Sequence, residues 1–155
     1  MKRLINLFRR GSPRLYLSNT AGVAGTHGDG CVTRRSDAAQ PLRNALVKIG
    51  SDADHVAVTT AGTENPLGVC NDEATAAEQY VNICLLGQKP GTVIMSAHAA
   101  IAAGDMLVAA ADGRVQTLPA TSGTYYVVGR ALNAAAAQDD DVEVAHTLPY
   151  PVVVS

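Results

Sequence analysis

IAAGDMLVAAADGRVQTL, residues 101–118, is the stretch from which the fold class is read. Asp112-Gly113 stands between two short apolar runs. An Asp-Gly pair in that setting predicts a two-residue hairpin turn, because both central positions of such a turn need positive φ. Upstream, Ala103-Gly104-Asp105 predicts a second turn that leads into a strand over Met106–Ala110. Downstream, Arg114-Val115-Gln116-Thr117-Leu118 alternates polar and apolar, the period of a half-buried strand. The stretch is therefore a turn–strand–turn–strand unit.

The same grammar recurs on both sides of this unit. Leu46–Ile49, His55–Thr59, Tyr80–Leu86, Thr92–Met95, Tyr125–Val128, Val142–Val144 and Pro151–Val154 are short runs separated by Gly, Asp, Asn and Ser. In Tyr80–Leu86, Val81, Ile83 and Leu85 fall on one face. Runs of this length at intervals of about 10 residues predict an all-β body, a compact β-sandwich or β-barrel-like domain. Asp72–Gln79 (DEATAAEQ) has helix formers and early acids, and fits one or two helical turns or an irregular crossing. Asn133–Ala137 reads as a loop or a single turn, so at most one short helix is expected.

Composition agrees. The 155 residues suffice for one domain with a core. There are 26 Ala and 17 Val against one Phe and no Trp, so the core must be built from small and β-branched side chains. A ligand pocket is usually lined with aromatics, and this chain has 4%. The three cysteines, Cys31, Cys70 and Cys84, are odd in number and lack a C-x-x-C spacing, which fits neither a disulfide framework nor a zinc site. Free buried thiols are the expectation. No apolar run reaches the roughly 20 residues of a membrane span. Met1–Arg10 is closed too soon by Arg9-Arg10 to be a signal-peptide core, so the chain is expected to stay inside the cell until lysis.

Charge is unevenly distributed. The net charge is -2, yet residues 1–48 carry nine of the twelve Lys and Arg and only two acids, Asp29 and Asp37. Residues 1–44 contain a basic start, the apolar patch Leu15-Tyr16-Leu17 and a Gly-, Ser- and Thr-rich run over 18–30 that cannot bury enough surface to fold alone. The organisation expected is a long, extended basic N-terminal arm, 1–44, on an acidic β-rich body, 45–155. The candidate partner contacts are Arg3, Arg9, Arg10, Arg14, Arg34 and Arg35, with Leu4, Leu7, Phe8, Leu15 and Tyr16 as apolar anchors. Arg suits interface ion pairs better than Lys does.

No constellation for catalysis or cofactor binding emerges. Gly25-Thr26-His27-Gly28-Asp29-Gly30 offers one His and one Asp, short of the four ligands of a structural metal site, and matches no phosphate-loop spacing. Asp139-Asp140-Asp141 lacks the alternation of a calcium loop and reads as a solvated turn. His55, His98 and His146 stand apart, with no nucleophile-elbow signature. The tip Asp112-Gly113 carries no lysine, which argues against a biotinyl or lipoyl carrier hairpin. The expectation is a non-enzyme with no cofactor, no metal and no small-molecule substrate.

An ordered set of short motifs runs through the body. It comprises Leu46–Gly50, Asn65–Val69, Ala76–Ile83 with Leu86-Gly87, Ala100–Leu107 with Asp112–Val115, Val128–Leu132 and Val142–Val144. In order and spacing this set resembles the phage capsid decoration, or cement, proteins, a family formerly known as a domain of unknown function. The family often has Gly where Ala77 or Gln79 stands, and its pattern leaves residues 1–44 largely outside. The resemblance implies a structural virion protein on the outside of an expanded capsid, assembled in the host cytoplasm and bridging major capsid protein subunits. It also implies contact with sister copies, as a homotrimer. The competing readings are a nucleic-acid-associated protein and a tail or fibre protein using the same arm. A hydrolase with an unrecognised site is a third.

Overall fold

The computed structural model describes residues 29–40 and 42–155. It is all-β: ten strands and one three-residue 3-10 turn among the described residues. β1 (Cys31–Ser36), β2 (Ala45–Ile49), β3 (His55–Val58), β4 (Gly68–Cys70) and β5 (Tyr80–Leu85) close into a barrel in the order β1-β3-β2-β4-β5. Within it, β1 and β3 run parallel and the other pairs antiparallel. β6 (Val93–Ser96), β7 (Met106–Ala109), β8 (Val115–Thr117), β9 (Gly123–Ala131) and β10 (Asp141–Val154) form a second sheet in the order β6-β10-β9-β7-β8. A bridge between Ala97 and Val115 brings the two edges of this sheet together, so it too is curled.

The wall shared by the two layers explains the most apolar strands. Leu46 faces Val69 across β2 and β4, and both point out of the barrel into the core under the second sheet, beside Met95, Leu107, Val128 and Val144. Their neighbours Val47 and Cys70 point inward, with Val32, Val56, Val81 and Ile83, to fill the barrel. A strand buried on both faces loses its alternation, which is why Ala45-Leu46-Val47 and Gly68-Val69-Cys70 are buried throughout. Small side chains let two cores share so thin a wall. Gly68 is obligatory there, since a Cβ would lie 2.5 Å from the Cys84 carbonyl oxygen.

The hairpin predicted at Asp112-Gly113 is present, with φ of 57° and 72° at the two residues. The connection is three residues, Ala111–Gly113, closed by Ala110 N–H donating to Arg114 O at 2.7 Å. The extra residue lets the turn dock on the barrel. Gly113 N–H donates to Thr59 O at 2.8 Å, and a Cβ on Gly113 would come within 2.7 Å of Ala45 Cβ. Gly104, with φ of 92°, makes the upstream turn, and Asp105 accepts from Ala102 N–H at 3.0 Å and Thr117 Oγ1 at 2.7 Å. Asp72–Gln79 is an irregular crossing and not a helix. Val142–Val144 and Pro151–Val154 belong to one long strand, β10.

Composition placed residues 31–36 in the arm, whereas they form β1. Val32 and Ser36 are buried, and β1 seals the barrel between β3 and β5. The part of the 1–44 segment that lies before residue 29 falls outside the described residues.

Candidate partner-binding surface

β1 lies between β3 and β5, so Arg35 has His55 as its register partner on one side and Tyr80 on the other. Ser36 N–H donates to Gln79 O at 2.9 Å, and Arg35 N–H turns the other way, to Asp54 O. Arg35 and Tyr80 therefore form a non-hydrogen-bonded pair, the kind in which facing side chains come closest. The guanidinium lies 5.2 Å from the Tyr80 ring centroid and donates to the Tyr80 hydroxyl at 3.0 Å. Its second arm donates to Glu78 Oε2 at 3.1 Å.

Glu78 ties the row together. Its other oxygen, Oε1, lies 3.1 Å from His55 Nε2, and His55 Nδ1 lies 2.6 Å from Asp52 Oδ1. The carboxylate at Asp52 holds the His55 pKa above its ordinary value, with Glu78 adding to it. The His55 hydrogen bond in turn holds Asp52 below the usual carboxylate range, helped by Asp54 N–H. Glu78 has φ of 65°, a conformation that favours glycine. It stands between Ala77 and Gln79, the two positions where the resembled family often has Gly. Here a backbone pair offsets the cost: Glu78 N–H donates to Ser36 O at 2.8 Å. The result is a row of Tyr, Arg, His and two acids on a stiff barrel wall, with Tyr80 66% exposed. Tyr and Arg held in place by neighbours are the side chains that most often dominate protein–protein interfaces.

Of the candidate contacts, Arg3, Leu4, Leu7, Phe8, Arg9, Arg10, Arg14, Leu15 and Tyr16 lie outside the described residues. Arg34 and Arg35 are adjacent on β1 and so point to opposite faces. Arg34 shares the inward parity of Val32 and Ser36, faces buried Val81, and donates to Thr33 O at 3.2 Å. The two arginines do not make one patch. His55, Glu78 and Tyr80 join Arg35 through strand register, which no local motif announces. Asp139 pairs with Arg114 Nε at 2.7 Å, while Asp140 accepts from Ala136 and Ala137 N–H. No group of three or more His, Cys, Asp or Glu that could hold a metal occurs among the described residues. Nor is any helix among them long and apolar enough to cross a membrane.

A second surface lies at the far end of β10. There Leu148, Tyr150 and Val153 are 66%, 43% and 76% exposed. Beyond Val144 the strand has β9 on one side and, among the described residues, no strand on the other. Tyr126 N–H donates to Gly62 O, away from its register partner Pro151, so Pro151 and Val153 present their backbone to the open edge. Pro151 has no N–H to donate there, which blunts the edge against indiscriminate strand pairing.

No family model matches the chain, and no curated protein matches it. Among solved structures, it is similar to the head fibre gp8.5 N base of bacteriophage phi29. The TM-score is 0.59 at 19% identity, with 77% of this chain and 94% of that chain covered. At this identity the likeness is one of fold.

Proposed function

We propose that this chain is a structural protein of a phage virion. It binds the outer surface of the expanded capsid and stabilises contacts between major capsid protein subunits, with no catalytic step and no cofactor. The observation that carries this reading is the shared fold with a phage head fibre base over 94% of that neighbour's length. The ordered motifs from Leu46 to Val154 that resemble decoration proteins support the finer assignment. The physics suits it: a barrel and a curled sheet sharing one wall are stiff, and their exposed Tyr80–Arg35 row and apolar β10 end offer contact area. Association of sister copies as a homotrimer would multiply weak single contacts by avidity.

The neighbour's description as a base favours a related second reading, in which the body is a foot that carries a fibre on the same capsid surface. Both readings require capsid attachment, which cosedimentation with expanded and unexpanded heads of the same phage tests. Saturable binding to expanded heads supports the proposal and gives the copy number. Absence of binding by folded protein, together with DNA binding that collapses between low and moderate salt, overturns it in favour of the nucleic-acid reading.

A further inference from the structure

Cys31 and Cys84 are 53 residues apart, and their sulphurs lie 2.9 Å from each other. They are register partners across antiparallel β1 and β5. Leu85 N–H donates to Gly30 O at 2.9 Å, the bond that brackets a non-hydrogen-bonded pair at Cys31 and Cys84. In such a pair the Cα atoms are about 4.5 Å apart and the side chains converge. That spacing falls inside the window of about 4.4–6.8 Å that a disulfide needs. Asn71 donates its side-chain N–H to Cys84 Sγ at 2.9 Å and fixes that sulphur beside its partner. Cys70 has the opposite parity on its strand: it faces Ile83, inside the barrel core.

We propose that Cys31 and Cys84 are a disulfide site, reduced in the cell and closed by exchange with a low-molecular-weight disulfide once the protein meets oxidising surroundings. Cys31 is half-exposed and Cys84 is buried, so exchange starts at Cys31. Its thiolate attacks one sulphur of the small disulfide, forming a mixed disulfide and releasing one small thiolate. Cys84, losing its proton, then attacks Cys31 Sγ, forming the Cys31–Cys84 bond and releasing the second. The two cysteines lose two electrons and two protons, and the small disulfide is reduced to two thiols. The bond ties the first residue of β1, where the chain enters the barrel, to the strand that closes it. Placing this event at host lysis rests on the virion reading; the chemistry of the site does not.

The site is built for slow closure. Burial, and then the hydrogen bond and charge of Cys84, push the Cys31 thiol up to about 12, so little thiolate exists at neutral pH. Closure should accelerate about tenfold per pH unit between pH 7 and 10.

The test is to incubate the purified full chain with oxidised glutathione at pH 9, quench with acid, unfold, count thiols and map peptides without reduction. The expected result is a fall from three free thiols to one, Cys70, with a Cys31–Cys84 peptide. Tm should rise by about 10 °C, reversibly with dithiothreitol, as expected for a cross-link closing a loop of this length. Cys70→Ser should behave the same. Cys31→Ser, at a half-exposed site, should stay folded and show no rise. Three free thiols retained, a mixed disulfide at Cys31 that never resolves, a bond mapped to Cys70, or a cross-link between chains would each overturn the inference. The readouts do not involve capsids, so failure to bind heads and failure to form the bond are separate results.

Discussion

β10 behaves as two strands in one. Over Asp141–Val144 it is hydrogen-bonded to β6, with β9 taking up its other edge from Val144 to His146, and Val142 and Val144 are fully buried. After a register shift between His146 and Tyr150 it keeps β9 alone, and no residue from Thr147 to Val154 is buried. Residue type does not separate the halves, for Val153 and Val154 are as apolar as Val142 and Val144. The difference is what lies against them: a shared core in the first half and, among the described residues, no strand at the open edge in the second. Hydrophobicity in the first half specifies the fold. In the second it stays exposed, and on the function proposed above it is contact area for a partner.

Matched substitutions in the two halves should have opposite consequences. Val144→Asp places an unpaired carboxylate in the core beneath Leu46 and Met95, and should cost about 4 kcal/mol or more. Thermal melts should show a collapse of Tm or an insoluble protein. Val153→Asp, 76% exposed, should stay within about 0.5 kcal/mol of the parent yet weaken head binding in cosedimentation. If both variants melt alike, the second half of β10 is packed in solution and is not a contact surface. Leu46→Ala opens a cavity in the wall between the two cores and should cost about 2–5 kcal/mol, read as the denaturant midpoint at constant slope.

A second contrast separates arm from barrel. Deleting residues 1–28 leaves β1 complete and should give a protein that still unfolds cooperatively but has lost capsid binding. Deleting residues 1–44 removes β1, exposes the edges of β3 and β5, and should abolish cooperative unfolding. A 1–28 deletion that binds heads normally would sink the role assigned to Arg3, Leu4, Leu7, Phe8, Arg9, Arg10, Arg14, Leu15 and Tyr16.

The Asp112-Gly113 and Gly104 turns are legible because the backbone demand is local to the residues that meet it. β2, β5, β7 and β8 are legible because their apolar runs or alternation directly report burial. β1 is hidden because Arg34 occupies an inward position between Val32 and Ser36 and breaks the alternation, and because a Gly-rich run precedes it. β4 has three residues, too few for any period, and its Gly68 is dictated by the approach of Cys84. The row His55–Arg35–Tyr80 and the pair Cys31–Cys84 are facts of register between distant segments. No spacing along the chain carries them.

The smallest expected effect sets two histidines against each other. His55, on the barrel, has its pKa raised by Asp52 and Glu78, so it binds a proton more tightly folded than unfolded. Its contribution is complete below the ordinary value of about 6.5 and is lost as pH rises through the raised value. His146, at the break in β10, accepts Gly87 N–H at Nδ1 at 2.9 Å, and burial lowers its pKa. Its contribution is complete above about 6.5 and is lost as pH falls towards the lowered value. The two act on opposite sides of about 6.5, so stability of the parent should rise as pH falls from 8 towards 6.5 and decline below it. His55→Asn should remove the rise and leave only the decline below about 6.5. His146→Gln, which keeps an acceptor for Gly87, should remove the decline and leave the rise above about 6.5. Proton NMR of the imidazole C–H signals assigns the order directly: His55 must titrate at higher pH than His146. The reverse order would mean that the Asp52–His55–Glu78 chain is not formed in solution, and with it the fixed Arg35–Tyr80 face of the barrel.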